Sequence, residues 1–403
     1  MKLVFVNRYF HPDHSATSQL LSDLAFHLAG RGGRDVHVVA SRQRYDEPQA
    51  RLAPRERVDG VVVHRVWSTR FGRHWLPGRA LDYATFYAAA ALALWRLAAR
   101  GDLIVAETDP PLVSVVAGAV ARLTRARLVN WLQDVFPEVA AAAGLPVPLG
   151  GLLRRLRNGS LRGAAANVAV GDRMAERMRA EGVPAASIHV IPNWADGEAI
   201  RPLPHAQNAL RREWGLADRF VVAYSGNLGR AHEYRTLLGA AERLRGEADI
   251  VFLFVGGGHL RRALEGEAAA RGLGSLRFEP YQPRERLGEC LGLADVHWIS
   301  LLPQLEGLIV PSKVYGVLAA ARPVLMVGNP DGEIGRLLRR EGCGLTVPVG
   351  GDAELAEAIL RLRARPDERE ALGSRARAAF DARYAAAHAC AAWNGLLARL
   401  SGR

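Results

Sequence analysis

Short apolar runs alternate with helix-length segments along this chain, and the whole pattern occurs twice. In the first half, residues 3–6, 36–40, 61–66, 103–107, 128–132 and 167–170 are β-like runs. Most are separated by stretches long enough for a helix, the first opening near Thr17-Ser18-Gln19-Leu20, with Thr17 or Ser18 as its N-cap. Strands alternating with helices predict right-handed βαβ units and a doubly wound, mostly parallel sheet.

Around Ile191-Pro-Asn-Trp-Ala-Asp-Gly the pattern breaks, with Pro202 and Pro204 behind it, so a linker is expected at about 192–215. The alternation then restarts, with strands expected at 220–225, 250–255, 276–278, 296–300, 323–327 and 345–347. From Asp352 onward the tail reads as helix. The expected fold is α/β, with two doubly wound Rossmann-like domains facing a central cleft, where open α/β sheets bind ligands at their carboxyl strand ends. The expected divisions are 1–195, 196–380 and a C-terminal helix, 381–403, returning toward the first domain.

Composition narrows the function. At 403 residues with 49% hydrophobic and 23% charged residues, this is an ordinary globular chain. Cys290, Cys343 and Cys390 are scattered and form no CxxC, which argues for a reducing compartment, against a disulfide framework and against structural zinc. The N-terminus reads as a buried strand, too short for the apolar core of a signal peptide, and no stretch is apolar enough to span a bilayer. Cytoplasmic residence follows as an expectation. The net charge of +12 suits a phosphate-bearing substrate or an anionic membrane surface. A nucleic-acid partner is not expected, because the charge is spread over both halves and no basic arm or zinc-finger spacing occurs. One patch is sharper. Residues 61–81 contain no acid and hold Arg65, Trp67, Arg70, Phe71, Arg73, His74, Trp75 and Arg79, a mixture suited to lipid headgroups or to a solvated loop.

Of 53 basic residues only two are lysine, Lys2 and Lys313. Lys313 ends the segment Glu306-Gly-Leu-Ile-Val-Pro311-Ser312-Lys313, where a carboxylate, a proline-fixed turn, a hydroxyl and a compact ammonium precede a helix. An ammonium and a planar guanidinium are not interchangeable in a narrow phosphate site. Upstream, Tyr224-Ser-Gly226-Asn227-Leu-Gly229-Arg230 runs from a strand through a glycine turn into a helix expected near 232–241. Glycines there let backbone N–H groups approach an anion, and Arg230 adds a fixed charge. Glu333 opens another helix, placed to meet ribose hydroxyls or to serve as an ordinary N-terminal acid.

Taken together, Tyr224–Arg230, Phe254-Val-Gly-Gly-Gly258, Glu306-Gly-x-x-x-Pro-Ser-Lys313 and Gly342-Cys-Gly-Leu345 resemble the donor half of family 4 glycosyltransferases. The likeness is to the bacterial branch that builds capsule, colanic-acid and O-antigen sugars, often amino sugars. The first half is similar too, through Tyr9-Phe-His-Pro-Asp13, Thr17-Ser18 and Trp131-Leu-Gln-Asp134-Val-Phe-Pro-Glu138.

The resemblance implies a GT-B fold, a nucleotide-sugar on the C-terminal domain, and a glycan or polyprenyl-diphosphate-linked acceptor on the N-terminal one. Donor contacts would come from Gly226, Asn227, Gly229, Arg230, Pro311, Ser312, Lys313 and Glu333, with Arg230 and Lys313 on the diphosphate. Glu306 would face the sugar. The family's second glutamate is absent, its place falling on Val314 or Gly316. Asp134 would orient the acceptor hydroxyl or donor sugar, or else cap the following helix, while Asp13, Thr17 and Ser18 belong to the N-terminal loop. Retention, no metal and no cofactor are implied. An isomerase resembling UDP-GlcNAc 2-epimerase is the alternative of the same fold.

Overall fold

The computed structural model describes residues 1–30, 32–45, 47, 49–72 and 76–402. They form two compact units, Met1–Pro192 with Cys390–Arg403, and Asn193–Ala389. The boundaries thus fall at 192/193 and 389/390, against the expected 195/196 and 380/381.

In the first unit, eight strands are β1 (Lys2–Val6), β2 (Asp35–Ser41), β3 (Arg55–Val58), β4 (Val61–Val66), β5 (Leu103–Ala106), β6 (Arg127–Leu132), β7 (Ala166–Ala169) and β8 (Ile188–Val190). They lie in the order β3-β4-β2-β1-β5-β6-β7-β8, all parallel except β3, which pairs antiparallel with β4. Among the described residues its helices include α1 (Ala16–Gly30), α2 (Leu76–Leu97), α3 (Val113–Thr124), α4 (Glu138–Ala142), α5 (Gly150–Gly163) and α6 (Asp172–Ala180). Helix α2 lays Phe86, Ala90 and Leu94 onto Val4, Val6, Val39 and Ile104 of the sheet, because these positions recur on one helical face. Helix α1 begins at Ala16, so Thr17 and Ser18 lie inside its first turn and neither is the N-cap.

The second unit contains α7 (Ala209–Glu213), β9 (Phe220–Asn227), α8 (Arg235–Arg243), β10 (Ile250–Gly257), α9 (Arg261–Ala270), β11 (Leu276–Glu279) and α10 (Leu287–Gly292). It continues with β12 (Val296–Ser300), α11 (Lys313–Ala319), β13 (Val324–Val327), α12 (Glu333–Glu341), β14 (Gly344–Val347), α13 (Asp352–Ala364) and α14 (Pro366–Ala379). A π-turn at Phe380–Tyr384 leads into α15 (Ala386–Ser401). The parallel sheet runs β11-β10-β9-β12-β13-β14. The chain therefore winds outward from β9 on one side, then restarts at β12 on the other.

The C-terminal end of α15 belongs to the first unit. Trp393 packs edge-on against Trp131 with ring centroids 5.0 Å apart, and Arg127 donates to the Leu400 carbonyl.

The expected linker is not loose chain. Its residues from Asn193 onward belong to the second unit, and α7 lies within it. Both terminal nitrogens of buried Arg211 donate to Asp295 Oδ2 at 3.1 Å, and the Val221 N–H donates to the same oxygen at 2.9 Å. One buried carboxylate thereby fastens α7 and β9 to the turn before β12. Removing one partner leaves a buried charge unpaired, which costs about 3–5 kcal/mol. Asp295→Ala should lower the urea midpoint of the second unit by that much stability, with Asp295→Asn intermediate, measured by equilibrium denaturation.

Candidate functional site

Where the second sheet reverses its winding, the carboxyl ends of β9 and β12 lie side by side, the usual ligand position in open α/β sheets. Gly226 there has a φ of +127°, a conformation that favours glycine. Gly256 on the neighbouring strand admits no side chain, because an added Cβ would lie 2.4 Å from the Gly226 carbonyl oxygen. The two glycine turns thus pack backbone to backbone.

Lys313, the first residue of α11, reaches this turn. Its ammonium donates to the Tyr224 hydroxyl, lies 3.0 Å from His232 Nε2 and 3.4 Å from the Asn227 carbonyl oxygen, and sits 4.2 Å from the Tyr224 ring centroid. The Tyr224 hydroxyl donates onward to the Asn227 carbonyl at 2.8 Å, so its oxygen is left to accept from lysine. His232 Nδ1 lies 2.7 Å from the Ser300 carbonyl, which can only accept. The proton is therefore on Nδ1, and Nε2 accepts from Lys313.

Every partner of the ammonium is neutral, and among the described residues no carboxylate pairs with it. Burial lowers Lys313 from 10.5 to about 7. Burial, and then the Lys313 charge, lower His232 to about 3.

Gly226, Asn227 and Lys313 are thus brought together. Arg230 is exposed on the same turn, with no hydrogen bond or ion pair among the described residues. Gly229 closes the turn by accepting from the His232 N–H at 3.1 Å. Pro311 and Ser312 lead directly into α11, and Ser312 makes no side-chain cap bond. Of the two positions where the second acid would fall, Val314 is buried and Gly316 is partly exposed.

The helix after the glycine turn starts at Arg235, three residues beyond the expected start. Ser300 explains the delay. Its carbonyl holds His232 and its hydroxyl accepts from the Glu233 N–H at 3.1 Å, so 229–234 stays a turn. The Glu233 carboxylate then accepts from the Arg235 and Thr236 N–H groups and opens α8. His232 and Ser300 had no role in the sequence reading. Their contact spans 68 residues and leaves no local signal beyond a histidine in a glycine turn.

Glu306 Oε2 accepts from the Glu333 N–H at 3.1 Å, which joins these two acids at the start of α12. An added Cβ on Gly332 would lie 2.0 Å from Glu306 Oε1, so this glycine makes room for the carboxylate.

In the first unit, Asp134 follows β6 and lines a cavity of about 30 Å³ with Glu107, Asn130, Trp131 and Arg157. Burial, and then the charge of Asp109, raise its carboxyl from 3.8 to about 7. Glu107, at the end of β5, is raised well above the carboxylate range by burial first and by Asp109 next. Asp134 does not cap the following helix; α4 has Pro137 at its N-cap and no side-chain cap bond.

Asp13 accepts from the Ser15 N–H at 2.8 Å and from the Tyr45 N–H, Ser18 donates to the Asp13 carbonyl at 3.2 Å, and Thr17 is partly exposed. These contacts shape the loop before α1. A larger cavity of about 460 Å³ lies near the amino ends of β9, β10 and β11, away from Lys313.

Two family models match the chain. A Glycosyl transferase 4-like domain covers residues 17–194, and Glycosyl transferases group 1 covers residues 206–379. The probable glycosyltransferase WbjE of Pseudomonas aeruginosa is 28% identical over 65% of this chain and 66% of its own length. The putative colanic acid biosynthesis glycosyl transferase WcaI of Escherichia coli is 30% identical over 54% of this chain and 55% of its own. The matches thus span less than two thirds of these relatives. Anabaena HepE, solved in complex with UDP and glucose, has a TM-score of 0.75 at 16% identity, covering 99% of this chain and 100% of its own, a likeness in fold. With one domain model over 17–194 and the other over 206–379, the chain belongs to the two-domain, family 4-type glycosyltransferases of the GT-B fold.

Proposed function

We propose that this protein transfers a sugar, an N-acetylated amino sugar, from a UDP-linked donor to a glycan or polyprenyl-diphosphate-linked acceptor in surface-polysaccharide synthesis. It would work with retention and without metal, on the cytoplasmic side of an anionic membrane. The observation that carries this reading is Lys313, a half-buried ammonium with only neutral partners at the switch point of a doubly wound sheet. A diphosphate is the counter-charge such a seat lacks. The HepE complex with UDP supports a uridine donor, and the name of WcaI supports polysaccharide synthesis. Both family models are of transferase domains, which favours transfer over isomerisation.

Breaking the anomeric bond leaves negative charge on the diphosphate while the sugar becomes oxocarbenium-like. Lys313, Arg230 and the backbone around Gly226, Asn227 and Gly229 meet that charge where it develops. Pro311 and Ser312 fix the approach of Lys313, Glu306 faces the sugar, and Glu333 takes the ribose side. In a reaction on one face the leaving phosphate oxygen accepts the acceptor proton. Asp134 then needs only to orient a hydroxyl.

A thermal-shift screen of UDP-, GDP- and dTDP-sugars tests the donor, and a rise in melting temperature with UDP-sugars alone is the expected result. Lys313→Ala should lower turnover roughly a hundredfold, on the order of 3 kcal/mol in the transition state, with little change in melting temperature. Lys313→Arg should rescue poorly, because the wider fork cannot occupy the same point. Near-parental turnover of Lys313→Ala would remove the basis of the reading.

The folded Asp134 carboxyl titrates near 7 against an ordinary 3.8, so between these values the folded state holds a proton that the unfolded state has lost. Stability from this group therefore falls as pH rises through that window. Asp134→Asn lacks the titration, and its stability relative to the parent should improve steadily from about pH 4 to about pH 8 by denaturant titration.

A further inference from the structure

Helix α3 packs against both α2 and α5, so these three helices form one layer of the first unit. The outward face of α2 carries Leu81, Ala84, Ala88, Leu92 and Trp95, all exposed, opposite the buried Asp82, Phe86, Ala90 and Leu94. At 1.5 Å per residue this apolar stripe runs for about 21 Å. Trp95 is 58% exposed, Leu123 at the end of α3 is 76% exposed, and Leu152 on α5 is 51% exposed, followed one turn later by exposed Leu156. An amphipathic helix on a globular surface ordinarily turns polar residues outward.

The charges follow a second pattern. Every charged residue on α2, α3 and α5 is arginine except Asp82, and Asp82 is buried. Its carboxylate is spent inside the unit, accepting from the Thr69 hydroxyl at 2.7 Å and from the Phe71 and Gly72 N–H groups at 3.0 Å. Those bonds fasten the loop bearing exposed Trp67 and Phe71 to the start of α2.

From these observations we infer that the α2–α3–α5 layer is the membrane-docking face, with the apolar stripe entering the headgroup boundary of an anionic bilayer and the exposed, unpaired arginines Arg96, Arg122 and Arg155 meeting lipid phosphates. This deepens the membrane reading above and rests on it. It also moves the docking face. Within residues 61–81, Val61 and Val63 are buried in β4, and Arg65 is buried, ion-paired to Glu56 and donating to the His11 carbonyl. Arg65 is therefore not available to lipid. Arg73, His74 and Trp75 lie outside the described residues.

Three features select lipid as the occupant. Among the described residues no helix is long and apolar enough to cross a membrane, so the stripe would lie along the interface. Arg96, Arg122 and Arg155 are exposed with no ion pair among the described residues, so they complement anionic headgroups and snorkel around an apolar centre, whereas Arg154 pairs with Glu181 and buried Arg157 with Glu138. Two copies meeting through this face would oppose arginine to arginine, which disfavours a symmetric dimer.

The test is co-sedimentation of the full chain with phosphatidylcholine vesicles containing about 30% phosphatidylglycerol, alongside vesicles of phosphatidylcholine alone. The expected result is binding to the anionic vesicles that weakens as salt is raised. Leu92→Glu/Trp95→Glu and, separately, Leu152→Glu/Leu156→Glu should each reduce that binding roughly tenfold or more. Since these side chains are exposed, melting temperature and the UDP-sugar thermal shift should not change. A bromolipid-quenching arm needs no charged substitution. Tryptophan emission should be quenched on binding, and Trp95→Phe should lose part of that quenching.

Parental binding in both glutamate variants, or unchanged quenching in Trp95→Phe, would overturn the assignment of this face while leaving membrane binding intact. Failure of the parent to bind anionic vesicles would overturn the membrane reading as well. A lipid-free dimer dissolved by Leu92→Glu in analytical ultracentrifugation would replace lipid with a second copy.

Discussion

A parallel strand buried on both faces leaves its polar chemistry little room except at the strand ends. Strands β5, β7, β12 and β13 are buried along their whole length, and some polar side chains within the sheets find partners beside them. Asn130 donates to Asn167 on the adjacent strand at 2.8 Å, and His297 Nε2 lies 2.8 Å from the Leu291 carbonyl. Because the winding restarts at β12 beside β9, the residues following these two strands must meet. The contacts of Lys313, His232 and Ser300 follow from that adjacency.

Both candidate centres use burial to move a charged group toward neutrality, with opposite signs. In the first unit Asp134 is raised to about 7 near other acids, and in the second Lys313 is lowered to about 7 among neutral acceptors. The desolvation of Lys313 is met when the chain folds, not when a ligand arrives. Tyr224 and His232 hold the ammonium at one point, so an anion binding there would find a fixed donor with little to reorganise. Exposed Arg230 differs, since a long side chain without partners must be ordered by whatever it binds.

Sequence alone carried most of the fold, because strands buried on both faces are continuous apolar runs. Residues 61–66 and 296–300 are strands at their expected bounds. Strand β3, Arg-Glu-Arg-Val, escaped notice because it is an edge strand with a polar face, and β8 because it has only three residues. The glycine turn and Lys313 were legible through residue type. The role of His232 was not, since only the strand order brings Ser300 to it. Arg65 misled for a related reason. It lies on the same side of β4 as Val61 and Val63, and the Glu56 that pairs with it comes from the hairpin that was missed.

The net charge of +12 is likewise a matter of placement more than of total. Helices of the second unit mix the signs, with Arg261 paired to Glu265 at 2.8 Å on α9 and Arg243 of α8 to Asp352 of α13 at 2.6 Å. Surfaces of that kind suit water and contribute little else. On α2, α3 and α5 the exposed large apolar residues are leucine and tryptophan and the exposed charged ones are all arginine, with no exposed acid. Arginine stems cover apolar surface while their heads seek phosphate, so such a face is poorly matched to water or to a copy of itself. Where hydrocarbon meets anionic headgroups, both halves of its character are satisfied together.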